Sequence, residues 1–381
     1  MNKIKVMTVF GTRPEAIKMA PLVKKMEQNE RIESIVCVTA QHREMLDSVL
    51  KIFNIQPKYD LNIMKHGQTI TDVTNRVLKE LESVIFNDRP DILLVHGDTT
   101  TTFSASLAAF YNKVPVGHVE AGLRSGNIYS PYPEEMNRKL TGMIASIHFA
   151  PTVGNEENLL KENIDKDKIC ITGNTVIDAL LSVIDENYKF NNKEIDDIDY
   201  DNNKVILLTC HRRENWGKPM EDIFKAIKRV VEDNENVEII FPMHLNPKVR
   251  DCAKSIMGGM DKIHLIEPLD YEPFANLMNK VDIILTDSGG IQEEAPAIGK
   301  PVLVLRSETE RPEAVEAGTA RVVGVDEKEV YEATNLLIRD ESEYAKMSNA
   351  VNPYGDGKAC DKIIEYLISN YKENVKKTKD F

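Results

Sequence analysis

Residues 4–18 read IKVMTVFGTRPEAIK: a short, largely apolar run, then a glycine, then a proline near the start of a helix-prone segment. A run of that length suits a strand covered on both faces, and a glycine followed by an early helical proline suits a tight turn into a helix. Residues 281–295, VDIILTDSGGIQEEA, repeat this grammar with Ser288, Gly289 and Gly290 at the turn. Outward from these two stretches, similar runs fall at Ser34–Thr39, Ile92–His96, Val114–Val119, Ile147–Phe149 and Ile169–Ile171 in the first half. In the second half they fall at Val205–Thr209, Val237–Pro242, Ile263–Ile266, Val302–Leu305 and Ala320–Val323, again with amphipathic segments between. The alternation predicts two doubly wound, Rossmann-like α/β domains, each with an open parallel sheet.

At 381 residues the chain is about twice the usual domain size. The expected division is a first domain at 1–172, a hinge near Gly173 and a second domain at 173–357. Within 358–381, a final helix is expected to pack back on the first domain, ahead of a frayed tail, KENVKKTKDF. The acidic stretch Asp185–Asn203 lacks periodicity and reads as a surface excursion. With 48 basic and 61 acidic side chains the net charge is −13, which disfavours nucleic acid and anionic membrane as partners. The five cysteines are odd in number and contain no Cys-x-x-Cys pair, so neither a disulfide framework nor a zinc site is indicated. No apolar run approaches the roughly 18 residues of a membrane span, and a cytoplasmic enzyme is expected.

Open α/β sheets bind ligands beyond the carboxyl ends of their strands, so the polar residues just after each strand carry the functional information. Arg13 and Lys18 flank the first turn and could hold an anion. Ser288, Gly289 and Gly290 let backbone N–H groups approach a diphosphate, and Glu294, a helical turn later, could accept hydrogen bonds from ribose hydroxyls. Asp98 and Glu120 each follow a histidine by two residues at a strand end, and a βαβ unit brings such ends side by side. Two neighbouring acids in a desolvated cleft shift each other's pKa, so one can act as base while the other holds a proton. His96 and His118 themselves read as core residues. The segment YSPYPEEMNR can carry Glu134, Glu135 and Arg138 on or near one cleft-facing surface, although a solvated helix start explains Glu135 adequately. His211 with Arg212 and Arg213 suits a phosphate leaving group.

Ten segments, FGTRPEAIKMAPL, VTAQHREMLD, VHGDTTTT, HVEAGLRS, PEEMNR, ITGNTVIDAL, HRREN, LTDSGGIQEEAP, ERPEAVEAGT and NPYGDG, occur in the order found in one family. Over practically its whole length the chain resembles the non-hydrolysing UDP-N-acetylglucosamine 2-epimerases. That resemblance implies a glycosyltransferase-B-type architecture with a cleft between the domains, a homodimer, and no metal or nicotinamide cofactor. It implies interconversion of UDP-GlcNAc and UDP-ManNAc through UDP and 2-acetamidoglucal, supplying ManNAc units for cell-surface polysaccharide. Asp98, Glu120 and Glu134 match the family's catalytic carboxylates, with the face of the sugar served by each left open. His211 matches the residue that assists the departing phosphate, and Arg138 would orient the acids. Arg13, Lys18, Ser288, Gly289, Gly290 and Arg311 would hold the diphosphate, Phe274 would stack near uracil, and Glu294 would bind ribose. Gln41, Glu134, Arg212 and His244 match a second, activating UDP-GlcNAc site of some bacterial members. Glu44 and Gly67 stand where those members carry Gln and Arg. A UDP-sugar-dependent glycosyltransferase, a hydrolysing epimerase and a catalytically silent UDP-sugar sensor are the competing readings.

Overall fold

Val6, Met7, Val9 and Phe10 are all fully buried, so the first strand is covered on both faces and shows none of the polar alternation of a half-exposed sheet. The computed structural model describes residues 3–40, 43–65 and 67–370. They group into two compact units, Met1–Ser182 with Tyr354–Phe381, and Val183–Pro353.

The first unit holds β1 (Ile4–Phe10), β2 (Ile32–Val38), β3 (Tyr59–Asp60), β4 (Ile92–His96), β5 (Val116–Val119), β6 (Ile147–Ala150) and β7 (Ile169–Ile171). They lie in the order β3-β2-β1-β4-β5-β6-β7, every pair parallel. The second unit holds β8 (Lys204–Thr209), β9 (Val237–Pro242), β10 (Ile263–Ile266), β11 (Ile283–Thr286), β12 (Val302–Val304) and β13 (Ala320–Val322). Their order is β10-β9-β8-β11-β12-β13, again all parallel. In both sheets the winding reverses at the centre, between β1 and β4 and between β8 and β11. Each switch point opens a crevice at the carboxyl ends of its own sheet's strands.

The helix Arg13–Glu27 shows how the local sequence builds such a crevice. Thr12 caps it with extended backbone, Glu15 completes a capping box, and Pro14 occupies the first turn, where no N–H is needed. Its inner face buries Ala16, Met19, Leu22, Val23 and Met26, and each large side chain among them stabilises by roughly 1.5–3 kcal/mol.

Four features depart from the sequence reading. β3 has only two residues, paired as Cys37↔Tyr59 and Val38↔Asp60, too few to show a pattern. The stretch Asp185–Asn203 is anchored rather than a free excursion, because Phe190, Ile195 and Ile198 are buried. The units divide at Ser182/Val183, not near Gly173, because the helix Thr175–Val183 packs within the first unit. They divide again at Pro353/Tyr354, ahead of position 358. Asp178, buried on that helix, accepts backbone hydrogen bonds from Ala359 at 3.1 Å and Cys360 at 3.0 Å. It thereby caps the final helix, Ala359–Asn370, whose Asp361 pairs with Lys25 at 2.7 Å. The expected frayed tail lies outside the described residues. Among those residues no helix is long and apolar enough to cross a membrane, and no group of His, Cys, Asp and Glu is placed to hold a metal ion.

Candidate active site

The first unit gathers acids at the carboxyl ends of β1, β4 and β5. Glu120 follows β5 with φ at 61°, a left-handed conformation that costs a non-glycine residue of order 1–3 kcal/mol and recurs where a side chain must be aimed. Nearby Gly122, with φ at 93°, lies so close to the first turn of the helix Val153–Lys161 that an added Cβ would sit 2.3 Å from the Asn155 carbonyl oxygen.

The Glu120 carboxylate accepts from the Lys18 ammonium and from Asn174 Nδ2 at 3.0 Å, and lies 3.5 Å from His96 Nε2. Burial alone would lift its pKa, but Lys18 and His96 outweigh burial and hold it well below the usual range. Asp98 shifts the other way. Burial lifts it above the ordinary carboxylate value, helped by Glu120 and only partly opposed by Arg138. The neighbouring acids are therefore one firmly ionised carboxylate and one more easily protonated, the division of labour that proton transfer to and from carbon requires.

The helix Glu134–Ile144 supplies the rest. Arg138 Nη2 donates to Asp98 Oδ2 at 2.6 Å, and Asn137 Nδ2 donates to the Asp98 carbonyl at 3.0 Å. Glu135, expected at the surface, is fully buried; it pairs with Arg138 at 3.2 Å and accepts from the Ser125 and Gly126 N–H groups. Helical spacing turns positions 135, 138 and 142 inward, which leaves Glu134 half-buried beside that row.

Behind these acids, buried Glu15 ties two loops together. Its Oε2 accepts from Gly11 N, Thr12 N and Thr12 Oγ1, and its Oε1 accepts from Thr99 Oγ1 and Thr102 Oγ1. His118 Nε2 lies 2.7 Å from the Gly97 carbonyl, and burial pushes its pKa down to about 3. Burial likewise pushes His148 down to about 4, and neither of its ring nitrogens has a hydrogen-bond partner among the described residues. His96 is buried, as expected of a core residue, yet it touches Glu120. Lys18, expected at a diphosphate, donates its ammonium to Glu120. Arg13 is half-buried at the first turn of that helix. Gln41 lies outside the described residues.

The second unit places cations around a glycine. After β8, His211 Nδ1 lies 3.1 Å from Oδ1 of the fully buried Asp287. Asp287 Oδ2 accepts from the backbone N–H groups of His211 and Arg212, both at 2.8 Å, and from Asn215 Nδ2 at 3.1 Å. Burial would raise the Asp287 pKa, but these donors bring it below the ordinary value. His244 stacks on His211 with ring centroids 5.9 Å apart. After β11, a Cβ on Gly289 would lie 3.8 Å from Arg311 Cζ and 3.9 Å from Arg212 Nη2. Two guanidinium groups thus converge where no side chain intervenes, a geometry suited to an anion with several oxygens. Buried Glu293 steadies Arg311 through its Nε. Ser288 and Gly289 are half-buried and Gly290 is exposed at this turn. Glu294 is half-buried near Tyr271, whose hydroxyl pKa is raised by burial and then by Glu294. Phe274 is half-buried on the helix Tyr271–Lys280.

The residues missed in the sequence are thus Glu15, Glu135, Asn174, Tyr271 and Asp287. Glu15 carries a local signal as the fourth residue of the capping box Thr12–Glu15, while Asp287 and Glu135 stand inside singled-out segments that do not reveal their partners.

Residues 24–368 match the family model described as UDP-N-acetylglucosamine 2-epimerase. The UDP-N-acetylglucosamine 2-epimerase of Bacillus subtilis is 56% identical over 371 residues, covering 97% of each chain. That of Escherichia coli is 54% identical over 380 residues, covering 96% of this chain and 99% of its own. The crystal structure of UDP-GlcNAc 2-epimerase from Neisseria meningitidis bound to UDP-GlcNAc superposes with a TM-score of 0.84 at 51% identity, covering 96% of this chain and all of that one. Sequence and fold agree along nearly the full length, and the chain belongs to the UDP-N-acetylglucosamine 2-epimerase family.

Proposed function

We propose that this isomerase inverts C2 of UDP-N-acetylglucosamine, giving UDP-N-acetylmannosamine. The observation that carries the reading is the pair Asp98 and Glu120, carboxylates at neighbouring strand ends, the first held by Arg138 and the second by Lys18 and Asn174 beside His96. The C2 hydrogen is not next to a carbonyl and becomes removable only as the C1–O bond breaks. UDP leaves with that electron pair, a carboxylate takes the C2 proton, and the C2–H electrons form the C1–C2 double bond of 2-acetamidoglucal. In the return step a UDP oxygen re-adds at C1, and a carboxylic acid delivers a proton to the opposite face of C2. Atoms and electrons balance without an oxidant.

Asp98, Glu120 and Glu134 supply the proton-transfer groups, and Arg138 keeps Asp98 aimed. In the second unit His211, aligned by Asp287, meets the leaving phosphate. Arg212, Arg311 and the Ser288–Gly290 backbone hold the diphosphate, and Arg13 is assigned to the same group. Glu294 takes the ribose and Phe274 the uracil face. Lys18 acts as the counter-charge of Glu120. The Neisseria relative bound to UDP-GlcNAc supports this choice of substrate.

We also propose a homodimer. Phe86, Phe110, Tyr111, Leu140 and Met143 are exposed on the neighbouring helices Ile70–Asp88, Thr100–Tyr111 and Glu134–Ile144. A cavity of about 500 Å³ lined by Phe110, Tyr111, Val114, Pro115 and Ile144 opens among them, and such an apolar face suits a second copy.

Incubation with UDP-N-acetylglucosamine in deuterated water tests the reaction. The expected product is UDP-N-acetylmannosamine with deuterium at C2, whereas free sugar or transfer to an acceptor would overturn the proposal. Asp98→Asn and Glu120→Gln are each expected to slow exchange by about 10²–10⁴-fold while retaining UDP binding.

A further inference from the structure

Arg138 is aimed at Asp98, but a guanidinium on one contact alone can swing about its long stem. Its second arm meets Glu135, which is completely excluded from solvent and lies 3.2 Å from Arg138 Nη1. We propose that Glu135 is a positioning residue that locks Arg138 against Asp98 and ties this pair to the turn at Ser125 and Gly126. This deepens the reading of Asp98 as a proton-transfer group and rests on it.

The contacts form a continuous chain. Ser125 N donates to Glu135 Oε2 at 3.0 Å and Gly126 N to Oε1 at 3.3 Å. The same Oε2 faces Arg138 Nη1, and Arg138 Nη2 donates to Asp98 Oδ2 at 2.6 Å. A buried carboxylate is tolerated only when paired and hydrogen-bonded, and every partner of Glu135 in this chain either belongs to the turn or leads to Asp98. The planar guanidinium gives one arm to each acid, so a rotation that keeps one contact loses the other. Ser125 also organises the loop beyond it. Its Oγ donates to the Ser130 carbonyl and accepts from Asn127 N, placing the exposed Tyr129 and Tyr132 on the same support.

The charged groups facing Asp98 are Arg138 on its helix, Glu120 at the end of β5 and Lys18 on the helix after β1. Those facing Arg138 are Asp98 and Glu135. Glu135→Gln changes only the last of these charges and keeps the side-chain volume. Glu135→Asp keeps the charge on a shorter stem.

With C2 deuterium exchange as the assay, Glu135→Gln is expected to lower kcat by about 100-fold with little change in KM. The limb of the pH profile that belongs to Asp98 should move to higher pH, since a loosened guanidinium opposes its protonation less. Glu135→Asp should recover part of the rate. Amide hydrogen exchange at Ser125 and Gly126 should quicken in the Gln variant. An unmoved pH limb, with the rate lost only in proportion to folded protein, would reduce Glu135 to a structural role and overturn the proposal. A limb that moves to lower pH would overturn it too, by making Glu135 a competitor for Arg138 rather than its anchor. Should the wild-type chain exchange no deuterium at C2, the reaction proposed above fails, while amide exchange still decides whether Glu135 holds the turn.

Discussion

Lowering the pH from about 7.5 to about 5.5 is expected to destabilise the first unit through two buried imidazoles, His118 and His148. Desolvation holds their folded pKa values near 3 and 4, against about 6.5 in an unfolded chain. In that window the unfolded state takes up protons that the folded state refuses, so stability falls with pH below about 6.5 and stops falling only beneath the folded values. At about pH 5.5 each unfolded imidazole is mostly charged and each folded one neutral, which costs about 1.4 kcal/mol per histidine and about 3 kcal/mol for the two. Aspartates and glutamates of ordinary pKa remain ionised in both states there. Asp98 and Asp178, whose pKa values burial raises, act in the opposite direction and trim the loss. The assay is urea unfolding at the two pH values, with amide exchange along β5 and β6 assigning the change to the first unit. His148→Phe, close in shape and sacrificing no hydrogen bond to the ring nitrogens, should remove about half of the drop. Equal unfolding free energies at both pH values, or an undiminished drop in His148→Phe, would refute the reasoning.

Three other substitutions probe separate links. Asp287→Asn removes the charge that fixes His211 and two backbone N–H groups; steady-state kinetics should show kcat at least about tenfold lower with the chain still folded. Gly122→Ala forces a Cβ to within 2.3 Å of the Asn155 carbonyl oxygen at a φ of 93°. It should cost about 2 kcal/mol or more, read as a lower urea midpoint. Met143→Asp places a charge on a side chain that is 69% exposed in the single chain; sedimentation should shift toward monomer, while an unchanged mass would place any dimer contact elsewhere.

Much of the fold could be read from residue order, because parallel strands buried on both faces leave compact apolar runs that few other structures produce. β1, β4 and β11 are the clearest, and the switch-point rule then directs attention to Asp98, Glu120, His211 and Ser288–Gly290. β3 escaped because two residues carry no period. Glu135 escaped because its burial depends on a turn ten residues earlier folding over it, and a glutamate in the first turn of a helix is ordinarily solvated. Asp287 was visible as the start of a glycine turn, but its hold on His211 spans 76 residues. The first boundary was misplaced for the same reason: Asp178 finds its partners at Ala359 and Cys360, 181 and 182 positions away. Contacts so distant along the chain leave no mark on local composition or spacing.

That last pairing bears on biogenesis. The first unit is completed by residues from Tyr354 onward, which leave the ribosome after the whole of the second unit, so its last helix can dock only once the second unit has been made. During that interval the surface destined for Ile363, Ile364 and Leu367 stands uncovered, an opening for chaperones or for mispairing between nascent chains.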